Sequence, residues 1–178
     1  VVKRLETGQS DFGLFNKNNA YDYERMAPVI EIIDQSYVIL FKKGQNFSSW
    51  TDFRGRKVAV IRGGKILQEF DEDLEVRKNP VNSYEQMIQM LKLGRVDGVA
   101  ELKNGLSLEI EKQGLDLKDF DSVPLQKMTI WLIYSKVNYK RDLNNGKVDA
   151  LKASAKRLKE SGFFQKTINA YFSPNISP

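Results

Sequence analysis

Between the apolar run Val58-Ala59-Val60-Ile61 and a following polar stretch lies Arg62-Gly63-Gly64-Lys65. Two glycines expose their backbone amides, and the flanking Arg and Lys add positive charge. Such a segment can receive an anion, or it can be a plain turn whose backbone angles call for glycine. It is not a P-loop, because Ile66 stands where that motif needs a hydroxyl. Acid–base chemistry would need a convergent pair such as Glu101 with Lys65 or Glu24, and no spacing demands one. The chain has no Cys and no His. Cys/His zinc sites, Cys nucleophiles and Ser-His-Asp triads are therefore excluded, and no catalytic residue, cofactor or metal is expected. The 28 Lys+Arg exceed the 23 Asp+Glu, giving net +5. They are scattered rather than gathered into a stripe, so no nucleic-acid partner is expected. The resulting field favours a small anionic ligand.

The elements that must position these residues announce themselves through a repeated phrase. Leu5-x-x-Gly8-x-x-Asp11 recurs as Leu91-x-x-Gly94-x-x-Asp97, each followed by apolar residues. In the second copy, Ser83 and Gln86 have capping-box spacing. Tyr84, Met87, Ile88 and Leu91 then fall on one helical stripe, and Gly94 stops the helix. Val96, Val99 and Ala100 follow as a short buried strand. The first copy reads alike, with Val1, Val2 and Leu5 on a helix and Phe12–Phe15 as a strand. Each copy is thus expected to be an αβ unit of a parallel sheet. A third match, Leu143-x-x-Gly146-x-x-Asp149, runs into helical sequence and is read as coincidence, with Asp149 near a helix start.

Further strands are predicted at 38–41, 57–61, 74–78, 120–125 and 129–135. Further helices are predicted after Lys65, near 107–113, at 149–160 and from Phe163. Leu151, Ala155 and Leu158 of the 149–160 helix are expected to face inward. The stretch from Phe47 to Leu125 then alternates strand and helix as a self-contained doubly wound unit. The flanking segments are each too short for a core of their own. The expected organisation is two doubly wound lobes: lobe one from 1–44 plus 129–178, and lobe two, 45–128, inserted into it. A cleft between two such lobes is a common place for a small ligand. Trp50, Trp131 and Tyr21 are candidates for lining it or for core packing.

The ordered succession of Leu5-x-x-Gly8-x-x-Asp11, Glu24-Arg25, "APVIEIIDQSYVILFKKG", "WTDFRGRKVAVIRGG", "YEQMIQMLKLGRVDGVA" and "LKESGFFQKTINAYF" resembles the family 3 bacterial extracytoplasmic solute-binding proteins. That resemblance implies a type II periplasmic-binding-protein fold whose first lobe is partial, because the family's opening strand-helix-strand has no counterpart. With "VVKRLETG" reading as the end of a helix and no initiator Met, the sequence is expected to start mid-protein.

The resemblance also implies site residues. Arg25 matches the family's carboxylate-binding Arg, and guanidinium suits that task through paired charge-assisted bonds. Asn16 and Asn18 fall near the family's hydroxyl-bearing positions, where this chain has no Ser or Thr. Gly63-Gly64, flanked by Arg62 and Lys65, matches a Gly-Thr pair that offers amides to the carboxylate. The family's ammonium-binding Asp has Glu101 as its nearest acid, one residue early, with Leu102 at the matching place. Successive strand residues face opposite ways, so the shift bears on whether the ligand carries an amino group.

The expected function is non-catalytic binding of a small anionic or zwitterionic solute, an amino acid or other carboxylate. The expected partner is a membrane transporter of the ABC importer type or a sensor kinase, and the expected location is periplasmic or extracytoplasmic. The alternatives are an enzyme on the same fold, dehydratase-like or attached to a peptidoglycan-cleaving domain, or the effector domain of a transcription regulator. An exposed sheet edge in the partial lobe could pair with a second copy of the chain.

Overall fold

The computed structural model describes residues 2–16 and 26–172. The chain forms two compact units, one from Val1–Asp34 with Met128–Ala170, the other built on Gln35–Lys127. Two long strands, β2 (Met26–Lys42) and β6 (Phe120–Ser135), pass from one unit into the other. The hydrogen-bonded strand order therefore runs unbroken as β1-β6-β2-β5-β3-β4, although each unit has its own core.

In the Gln35–Lys127 unit, β3 (Lys57–Ile61) lies parallel to both β4 (Arg77–Val81) and β5 (Gly98–Leu102). The C-terminal part of β2 pairs antiparallel with β5, Leu40 opposite Val99. Alternation along these strands feeds two cores. Val38, Leu40, Ala59 and Val99 face α3 (Tyr84–Lys92) and α4 (Lys103–Lys112), which supply Met87, Ile88, Leu91, Leu106 and Ile110. Ile39, Phe41, Val58 and Ala100 face the other way, onto Phe53 and onto Phe70 of α2 (Gln68–Glu72). Helices thus cover both faces, the doubly wound arrangement expected of parallel strands.

In the other unit, β1 (Phe12–Asn16) pairs antiparallel with the end of β6, Phe12 opposite Tyr134 and Leu14 opposite Leu132. Leu5 of α1 (Val2–Glu6) packs with Met26 and Ile133. On the opposite face Ile32 and Leu132 meet Ala155 of α6 (Lys147–Glu160), with Phe164 of α7 (Phe163–Phe172) beside them. Helix α5 (Lys136–Asn144) buries a carboxylate, Asp142. Arg141 clamps it at 2.7 and 2.8 Å, and the Tyr134 hydroxyl donates at 2.8 Å. The Arg141 bonds hold the Asp142 carboxyl well below the usual carboxylate range against its burial. Burial and the same carboxylate push the Tyr134 hydroxyl up to about 12.

Both copies of the repeated phrase do the same work. Gly8 and Gly94 adopt φ of 73° and 66°, the left-handed turn that ends a helix at least cost in glycine. Each Asp then ties the incoming strand to a neighbour. Asp97 exchanges backbone and side-chain bonds with Lys57, both 2.8 Å. Asp11 accepts from the Ser135 N–H at 2.8 Å and from Asn138 at 2.9 Å. In the third match Gly146 also ends a helix, and Asp149 sits in the first turn of α6.

Several boundaries differ from the sequence-based expectation. The strand expected at 74–78 lies at Arg77–Val81, and Leu74 is exposed. Pro80 is admitted because β4 is an edge strand, where a missing N–H costs no ladder bond. The separate strands at 120–125 and 129–135 are one, and the strand at 38–41 is the last part of β2. The helix expected at 107–113 begins at Lys103, directly after β5. Leu158, expected inward, is exposed, while Val148 is buried instead. Ser83 caps α3 through the Gln86 N–H at 3.2 Å, but the returning Gln86 amide oxygen meets the Asn82 N–H.

Gly98 starts β5 where no side chain fits. A Cβ there would stand 2.7 Å from Ile39 Cγ2 and 2.7 Å from Phe53 Cε1. Gly98→Ala is expected to cost about 1–3 kcal/mol through overpacking, read as a lowered urea midpoint with an unchanged slope.

Candidate functional site

The chain leaving β3 turns toward the face covered by α2, while the chain leaving β5 turns toward the face covered by α3 and α4. Adjacent parallel strands whose continuations part in this way create a crevice at their C-terminal ends. A cavity of about 260 Å³ lies there, lined by Gly63, Gly64 and Lys65 after β3, by Lys78 of β4 and by Glu101 of β5. All of it belongs to the Gln35–Lys127 unit.

Local geometry sets the glycine pair. Gly63 has φ of 74°, which only glycine adopts cheaply. Gly64 donates to the Ile61 carbonyl at 3.0 Å, closing the turn. Ile66 is buried and anchors the loop to the core, and its N–H donates to Asp71 at 2.9 Å. The ammonium of Lys65 has no protein partner among the described residues and stands exposed at the rim. Arg62 does not join it. Its guanidinium turns to Asn82 Oδ1 at 3.1 Å and the Pro80 carbonyl at 3.3 Å, bracing the loops after β3 and β4.

Glu101 is buried, with its Oε1 accepting from the Leu102 N–H at 3.0 Å and Tyr84 as a further hydrogen-bond partner. Burial pushes its carboxyl pKa up, while the Leu102 and Tyr84 bonds pull it back. Burial and the nearby Glu101 carboxylate drive the Tyr84 hydroxyl upward. Lys78 and Asp71 also line the cavity and were not singled out from the sequence, where each reads as a surface charge. Lys78 Nζ donates to the Asp73 carbonyl at 2.5 Å and lies 5.2 Å from the Phe70 ring centre. Its burial lowers its pKa.

Of the residues singled out from the sequence, the structure brings Gly63, Gly64, Lys65 and Glu101 to one cavity. Asn16 ends β1 in the other unit. Asn18, Arg25, Glu24 and Tyr21 lie outside the described residues. Trp50 packs edge-on to Phe70 with centroids 6.0 Å apart, and Trp131 packs against the Leu5–Met26–Ile133 core. Among the described residues no group of acids could hold a metal ion, and no helix is long and apolar enough to cross a membrane.

No family model and no curated protein matches this sequence. Solved structures do. A mutant of ArgBP from T. maritima is similar with a TM-score of 0.69 at 18% identity, over 96% of this chain and 72% of that one. An ABC uptake transporter substrate-binding protein from Streptococcus pneumoniae with bound histidine gives 0.68 at 18%, over 96% and 71%. The GluR0 ligand-binding core in complex with L-glutamate gives 0.74 at 12%, over 97% and 76%. The chain has the type II periplasmic-binding-protein fold. The cavity lies at the switch point of the Gln35–Lys127 unit.

Glu101 gives that cavity a pH signature. Its folded-state pKa lies above the unfolded value of about 4.3, so the folded state holds the proton more tightly. Stability is then lost as pH rises above that value. Glu101→Gln, neutral throughout, is expected to melt above the wild type at pH 7, with the gap closing near pH 4. Melting curves of both proteins at the two pH values check this.

Proposed function

We propose that this chain binds a small carboxylate-bearing solute, an amino acid or related acid, without catalysing a reaction on it. The observation that carries the reading is the cavity where β3 and β5 part, with the Gly63 amide and an unpaired Lys65 ammonium on one side and buried Glu101 on the other. Backbone amides and an ammonium suit a carboxylate, and a buried carboxyl suits a donor group on the same solute. The similar structures agree in kind: among them are forms with bound arginine, histidine and glutamate. Arg25 belongs to this proposal on sequence grounds alone, as a guanidinium anchor for the solute's carboxylate. On this reading the protein works outside the cytoplasm and hands its solute, or the news of its capture, to a membrane partner such as an ABC importer.

The test is a ligand screen by thermal shift and calorimetry with amino acids, dicarboxylates and keto acids. A solute present at a hundred times its Kd should stabilise the fold by about 2.7 kcal/mol. Replacing Lys65 by Met should weaken its binding about ten- to hundred-fold, the range of a charge-assisted hydrogen bond of about 1.5–3 kcal/mol. A chain that no member of these classes stabilises, or a ligand indifferent to both Lys65→Met and Arg25→Ala, overturns the reading.

A further inference from the structure

Two lysines line the cavity at the ends of β3 and β5, and they differ in setting. Lys65 is exposed, and its ammonium has no protein partner among the described residues. Lys78 is half-buried on β4. It stands opposite Val58, with Pro80 opposite Val60. Alternate residues share a face of a strand, so Lys78 and Pro80 point the same way, toward the side where Phe70 of α2 packs. The neighbouring positions on that face of β3, Val58 and Val60, are apolar. One ammonium thus stands at the mouth of the cavity and a second belongs to a residue set further in.

Lys78 is poorly matched by its own protein. A lysine ammonium offers several donors. Here one goes to the Asp73 carbonyl, and the face of the Phe70 ring lies 5.2 Å away, a weak partner for a cation. The nearby carboxylates are engaged by other groups. Asp73 accepts from Arg54 Nε and from the Glu75 N–H, each at 2.8 Å. Asp71 accepts from the Ile66 N–H at 2.9 Å, and Glu101 from the Leu102 N–H at 3.0 Å. Burial accordingly lowers the Lys78 pKa, against the pull of Asp73 and Asp71. A half-buried ammonium with donors to spare is costly, and a bound acid group supplies the missing counter-charge.

We infer that the cavity takes a solute with two acid groups, a small dicarboxylate with or without an amino group, and that Lys78 is the residue that selects it. Lys65 and the Gly63 amide meet one carboxylate, and Lys78 meets the other. This assignment rests on the cavity being a carboxylate site, as proposed above. The volume of about 260 Å³ lies below the roughly 300–1,000 Å³ typical of sites for drug-sized ligands, which suits acid groups only a few carbons apart.

Calorimetry at pH 7 with matched pairs tests it: succinate, glutarate, aspartate and glutamate, each against its own monoamide. Every pair keeps the chain length and removes one charge. In at least one pair the diacid should bind about ten- to hundred-fold tighter than the amide, the range of a charge-assisted hydrogen bond. Lys78→Met should bring that ratio close to one. Lys65→Met should weaken both members of the pair and leave the ratio standing. Circular dichroism checks that each variant folds, and the ratio in the unaltered chain is decisive even where one does not. Amides that bind as tightly as their diacids, a chain that takes only monocarboxylates, or a ratio that survives Lys78→Met each overturn this inference and leave carboxylate binding standing. A chain that binds no carboxylate at all overturns both.

Discussion

The parallel ladder of β3 with its two neighbours is the constraint from which the Gln35–Lys127 unit follows. Strand β3 has β4 on one side and β5 on the other, all three running the same way. Parallel neighbours need crossovers that climb over a face of the sheet. Here successive crossovers use opposite faces, so both faces of β3 are buried and Val58 and Ala59 are wholly inaccessible to solvent. The crevice at the strand ends is a by-product of that winding. Its chemistry comes from whatever the loops after β3 and β5 carry, which here is a glycine pair, a lysine and a glutamate.

The two aspartates of the repeated phrase show how a short motif holds a strand in place. A helix that ends in a left-handed glycine turn delivers the chain to the sheet with its backbone groups unpaired. Asp97 meets the first residue of β3 with main chain and side chain at once, and Asp11 meets the end of β6 and the start of α5. A carboxylate at that spot accepts hydrogen bonds the strand has not yet begun to supply, so each strand enters at a defined register.

Much of this fold is legible in the sequence because its signals are periodic. The stripe Met87, Ile88, Leu91 and the run Val58–Ile61 each carry the spacing of their element. Where periodicity is absent, the reading slips. Helix α5 shows no apolar stripe, since its one buried side chain is Asp142, whose burial depends on Arg141 and Tyr134. Strand β4 lies three residues beyond the expected 74–78, where it contains Pro80, which only its edge position makes acceptable. In the site, Gly63, Gly64, Lys65 and Glu101 could be named because glycines at a strand end and an acid after a buried strand are local features. Lys78 could not: its amine meets the Asp73 carbonyl and the Phe70 ring, and sequence distance hides both. Arg62 illustrates the converse, a plausible anion ligand that the fold spends on Asn82 and the Pro80 carbonyl.

Pro80 on β4 has a bearing on solubility. Growth of a fibre by edge addition needs a donor rim and an acceptor rim on every subunit, so that each arrival leaves a fresh landing place. The β4 rim lacks an amide where the proline ring sits and carries the exposed Arg77 near it. A subunit sealed on that flank can end a stack but cannot extend one. The proline thus acts as a terminator on that rim.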